Sequence, residues 1–148
     1  MWNQINNQTD IVRLQSEYFR FHDSCICSVV YQSGASVDES GSMSGTSKKC
    51  ALVIRLDSQM PLFHHQPDKK SLELKFIGLR RMNLIGYQDN YFSDMLSCYL
   101  SFFKKYIVWS DDDGFDPENY METELLNEPM SSFVIADRLE WRFVQQKS

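Results

Sequence analysis

Phe19-Arg20-Phe21-His22-Asp23-Ser24-Cys25-Ile26-Cys27-Ser28-Val29-Val30-Tyr31 (FRFHDSCICSVVY) is the stretch at which the chain changes its periodicity. Before it, Ile11, Leu14, Tyr18 and Phe21 recur at helical spacing, and Thr9 or Asp10 is placed to cap a first turn. The spacing predicts a helix over residues 9–21. From Cys25 onward period two takes over. Cys25, Cys27, Val29 and Tyr31 share one face, and Ser24, Ile26, Ser28 and Val30 share the other. The apolar end of the odd face points it inward, which assigns Cys25 and Cys27 to the core as small hydrophobes.

The rest of the chain repeats the strand signal. A Gly- and Ser-rich run from Gln32 to Lys49 reads as a long loop or a ragged hairpin. Cys50, Leu52, Ile54 and Leu56 then share a face, and after a proline-bearing loop Leu72, Leu74 and Phe76 alternate with Glu73 and Lys75. Met82 to Ile85 extends that strand beyond a bend at Gly78. Residues 92–104 fit two patterns. Phe92, Met95, Leu96, Tyr99, Leu100 and Phe103 suit a helix, whereas Leu96, Cys98, Leu100 and Phe102 alternate with Ser97, Tyr99 and Ser101. The serines at every second place and the β-prone YIVW that follows favour a strand, with Lys104-Lys105 as the turn of a hairpin. Phe133, Ile135, Leu139, Trp141 and Phe143 mark a last strand, in which Asp137 is the exception on the apolar face. One helix followed by strands without crossover helices predicts a mainly β (α+β) single domain over 1–148. The expected architecture is an antiparallel sandwich or half-open barrel of about six strands spanning 22–144, with the helix across one face or end.

With 148 residues, 43% hydrophobic and 14% aromatic, the chain is long enough to close a core without staples. The net charge of -5 lacks the attraction to phosphate on which nucleic-acid binding rests. Lys48-Lys49, Lys69-Lys70, Arg80-Arg81 and Lys104-Lys105 are separate pairs and form no basic stripe. Neither nucleic acid nor membrane is therefore an expected partner. The first ten residues carry no secretory signal pattern and no run reaches membrane-span length, so the expected location is the cytoplasm, with four free thiols.

Several groups of residues carry the types used in catalysis or ligation. His22, Asp23 and Ser24 are the members of a nucleophilic triad, but neighbours on an extended chain point to opposite faces, and His22 and Ser24 stand roughly 7 Å apart. His22 and Asp23 instead sit where helix gives way to strand, a place to bridge backbone groups or to face a pocket. Cys25 and Cys27 with His64 and His65 supply four potential zinc ligands, yet a CxC inside a strand is not the tight-turn spacing of structural zinc. No metal and no cofactor is expected. The acidic segment fails as an EF-hand: counted from Asp111, Asp113 and Glu122 fall correctly, but Phe115 takes an oxygen-ligand place and Asp116 the place of the glycine. Asp111, Asp112, Asp113, Asp116 and Glu118 read as a solvated acidic patch suited to a basic protein partner. Trp109 and Trp141 lie in apolar strands, where they pack in the core or floor a ligand pocket.

The order FHDSCICSVVYQSG, LELKFIGLRRMNL, IVWSDD and SFVIADRLEWRF resembles a family of small bacterial domains of uncharacterised function, in which an HDS-type segment opens the first strand and a Trp-bearing strand closes the domain. Such domains are similar to immunity proteins of toxin systems. The resemblance implies no catalytic residue. It implies a non-enzymatic interaction domain that neutralises a partner through an acidic surface. The rival expectation is a small-molecule or weakly enzymatic site in the mouth of a β-barrel, built from His22, Asp23, Trp109 and Trp141.

Overall fold

The computed structural model describes residues 1–59, 71–86, 94–95, 97–120 and 131–144. His64, His65, Lys69, Lys70, Phe92, Leu96 and Glu122 lie outside the described residues. Strand β1 (Asn3–Ile5) precedes helix α1 (Gln8–Glu17), followed by β2 (Ser24–Gln32), β3 (Ser36–Val37), β4 (Met43–Ser44), β5 (Ala51–Ser58), β6 (Ser71–Asn83), β7 (Asp94–Met95), β8 (Tyr99–Phe103), β9 (Tyr106–Ser110) and β10 (Phe133–Val144). All pairings are antiparallel. The main sheet runs β7-β2-β5-β6-β10-β9-β8, with β1 also on β10, and β3-β4 forms a separate ribbon. The protein is thus mainly antiparallel β with one α-helix, and the sheet is open, not closed into a barrel.

The helix begins earlier than its apolar spacing implies. Asn7, not Thr9 or Asp10, is the cap: its side chain accepts from the Asp10 amide, while the Asp10 carboxylate accepts from the Asn7 amide, a reciprocal capping box. The helix also stops at Glu17, short of residue 21. Phe19, Arg20 and Phe21 follow in a left-handed turn, with φ of 51°, 53° and 62°. That turn still delivers Phe21 to the core beside Ile11, Leu14 and Tyr18, all four at 0% exposure. Together they cover one face of the sheet, packed with Leu52, Ile54, Leu56, Leu72, Leu74, Phe76, Leu139 and Trp141. On the other face Glu73, Lys75, Glu140 and Arg142 pair across strands, and Trp2 lies under Lys75 and Arg142.

Two irregularities overturn the simple alternation. In β2, Ile26 pairs with Leu56 but Ser28 with Arg55, so Cys27 is an extra, bulged residue. The bulge reverses the faces: Ser24 and Ile26 turn to the core and Cys25 and Cys27 turn outward, with Cys27 exposed. Cys25 and Cys27 are therefore not core residues. Beyond the bulge Val29 and Tyr31 stand beside core-facing Ile54 and Leu52.

The second irregularity lies where β6 and β10 cross the Gly78–Asp137 region. Gly78 has φ +71°, and Ile135 pairs with Arg81 while Ala136 pairs with Leu79, leaving Arg80 as the extra residue. Both strands change face there. Val134 and Ala136 join Leu139 and Trp141 in the main core, whereas Phe133 and Ile135 enter a second core with Val108 and Phe115. The odd positions of the last strand are therefore divided between two cores. Asp137, the exception in the sequence pattern, sits at that change, held by Arg80 through two contacts of 2.9 and 2.8 Å.

For residues 99–110 the strand reading holds: β8 and β9 form a hairpin turning at Lys104-Lys105, with Lys104 at φ 55°.

Candidate functional site

The second core decides how the acidic segment is presented. Phe115 packs 4.9 Å from Tyr120 and 5.0 Å from Phe133 between ring centres, and Pro117 in the same segment is buried. These contacts clamp residues 111–120 against the sheet, so the carboxylates between them have set positions. Asp112 accepts from the Gly114 amide at 2.9 Å, Asp116 from the Glu118 amide at 3.0 Å, and Asp113 from the Ser97 hydroxyl at 2.7 Å. The Asp112 and Asp116 bonds hold local turns, the Asp113 bond ties the segment to Ser97, and all three carboxylates stay at the surface. Asp112, Asp113, Asp116 and Glu118 are all exposed. Glu118 meets Lys104 at 3.4 Å, an exposed pair of small energetic weight.

Asp111 departs from this group. Its carboxylate turns inward, accepts from the Ser132 amide at 2.9 Å, and joins the loop to the start of β10, where the Asp111 amide donates to the Ser132 carbonyl at 3.2 Å. Burial pushes its carboxyl up to about 6, although the bond from Ser132 opposes the shift. The surface patch is thus four carboxylates, and the fifth residue of the expected patch is an anchor.

His22 and Asp23 lie at the other end of the molecule's first segment, next to β2. The imidazole Nδ1 and the Asp23 carboxylate meet at 2.9 Å, both part-exposed. The junction between turn and strand is fastened by the main chain of these two residues. The His22 carbonyl accepts from the Ser24 and Ser58 hydroxyls at 3.5 Å each, and the Asp23 carbonyl accepts from the Gln59 amide at 3.0 Å. Ser24 is buried, its hydroxyl turned to that carbonyl and not to the imidazole. The three triad-type residues do not form a catalytic relay.

Trp109 is fully buried and Trp141 is 5% exposed, both in the main core, so neither offers a surface to a ligand. A cleft of ≈ 230 Å³ lies instead between Lys48, Ile77, Gly78, Asp137 and Arg138, below the usual size of a ligand pocket and lined by none of the residues singled out for one. Among the described residues no group of three or more His, Cys, Asp or Glu side chains is arranged to hold a metal ion. Among them, no helix is long and apolar enough to cross a membrane.

Sequence reasoning missed the edge of the sheet. Residues Ile26–Gln32 of β2 pair, among the described residues, with β5 alone, because β7 reaches only Ser24 and Cys25. Val29, Val30 and Tyr31 on this edge are 38%, 53% and 52% exposed. The available signal was the absence of any charged side chain from Ser24 to Val37, which leaves an edge without the usual protection. No protein-family model, curated protein or solved structure matches this chain.

Proposed function

We propose that this chain is a non-enzymatic protein-interaction domain that receives a basic protein partner on the acidic face of residues 112–118. The observation that carries the reading is the packing of Phe115 and Tyr120 into the second core, which anchors the segment that bears four exposed carboxylates. A charged surface already ordered loses little entropy on binding and speeds encounter with an oppositely charged partner.

A lysine-rich peptide serves as the probe, its binding followed by calorimetry at low and moderate salt. Four exposed contacts of a few tenths of a kcal/mol each sum to about 1.4 kcal/mol, a factor of about ten. The combined variant Asp112→Asn, Asp113→Asn, Asp116→Asn and Glu118→Gln should therefore bind about tenfold more weakly and with a shallower salt dependence. The control pair Glu17→Gln and Glu39→Gln should leave affinity unchanged. Equal affinity in the fourfold variant and the wild type would overturn the assignment.

A second reading has its own observation, the one-sided pairing of β2. A second copy of the chain suits this edge. Antiparallel pairing about a two-fold axis matches the strand to itself, and two molecules of net charge -5 meet there without facing charges.

A further inference from the structure

Two residues apart on a regular strand, side chains are roughly 6.6 Å apart along the chain. Cys25 and Cys27 are closer than that, with their sulfurs 3.8 Å from one another. The bulge is the cause: it inserts Cys27 as the unpaired residue between Ile26 and Ser28 and aims its side chain back along the outer face of β2. Both thiols are reachable, Cys27 exposed and Cys25 half-buried, and both are free. Cys98 differs, since burial pushes its thiol far above the ordinary range. Cys50 lies away from the pair, its thiol 3.6 Å from the Tyr31 hydroxyl.

We propose that Cys25 and Cys27 form a reversible dithiol–disulfide couple that exchanges with low-molecular-weight disulfides of the glutathione type. The spacing of the two α-carbons on a strand lies near the upper limit of about 6.8 Å for a disulfide, and the bulge brings it within reach. The Cys25 thiolate attacks one sulfur of the small disulfide, forming a mixed disulfide and releasing one small thiolate. The Cys27 sulfur then attacks Cys25 sulfur, its proton passing to the departing second small thiolate. Two protein thiols are oxidised, and one small disulfide is reduced to two thiols. The order follows from the surroundings of Cys27. Although Cys27 is the more exposed of the two, desolvation of its thiolate and the Asp57 carboxylate beside it push its thiol up, which favours Cys25 for the first attack and leaves Cys27 to resolve. An exposed disulfide closed over so short a loop is readily reduced, as a reversible couple requires.

The full chain is treated with glutathione disulfide and its intact mass and peptide map are measured. The wild type should lose two hydrogens, mapped to a Cys25–Cys27 bridge, without retaining a glutathionyl group, and dithiothreitol should restore it. Cys27→Ser should instead keep one glutathionyl group on Cys25, while Cys50→Ser and Cys98→Ser behave as the wild type. Circular dichroism checks that each variant keeps its sheet. The proposal is overturned if wild type and Cys27→Ser carry the same adduct on Cys25, or if both thiols stay reduced while Cys50 reacts.

Discussion

Asp111 illustrates how one residue leaves the role its neighbours share. Four carboxylates of the same segment stay in water, whereas this one is turned toward Ser132 and takes the cost of burial in its titration. The folded chain holds the Asp111 proton more tightly than the unfolded chain does. Its contribution to stability is therefore complete below the ordinary carboxyl value of about 4 and declines as pH rises through about 6. Asn at this position keeps an oxygen to accept from the Ser132 amide and removes the charge. The difference in denaturation midpoint between Asp111→Asn and wild type should shift in favour of the variant as pH rises from 4 to 7. A difference constant with pH would show that the buried carboxyl does not titrate in this window.

Among the elements, β6 and β10 depend most on a single backbone position. Gly78 lies at φ +71°, and a Cβ built there would stand 2.5 Å from Oδ2 of Asp137, itself held by Arg80. The left-handed backbone and the blocked space act together, so Gly78→Ala should destabilise the protein by on the order of 2 kcal/mol. A urea midpoint unchanged from wild type would mean that the change of face does not need glycine. Helix α1 shows a milder form of the same lesson. Its apolar positions were readable, but its ends were set by Asn7 and by three residues of left-handed backbone that no periodicity announces.

At the scale of the whole molecule, the sheet has a protected centre and two unlike flanks. β10 pairs along its length with β6 and on its other side with β1 and β9, while β8 is the last strand at one end of the sheet. At the other end, among the described residues, the uncharged edge Ile26–Gln32 of β2 pairs on one side alone. If a second copy occupies it, the solution mass from light scattering should rise with concentration, and the backbone amides of Ile26–Gln32 should gain protection from hydrogen exchange together with it. Val29→Lys places a charge on this edge and should restore the monomer. A monomeric mass at every concentration would exclude the second copy.

Composition and alternation by themselves determined a mainly antiparallel β domain with one amphipathic helix. Leu52, Ile54, Leu56, Leu72, Leu74, Phe76, Leu139 and Trp141 were legible as core because burial on one face imposes period two. The acidic segment was legible as charge, and His22–Asp23 as a junction. Only the tertiary structure decided which way Cys25, Cys27, Phe133 and Ile135 point, and that Asp111 is an anchor. A bulge adds one residue through the pairing of two distant strands, and that pairing is a property of neither strand alone. The same holds for the open edge: a strand's sequence states its own preferences, but whether a partner lies beside it is settled by the rest of the fold.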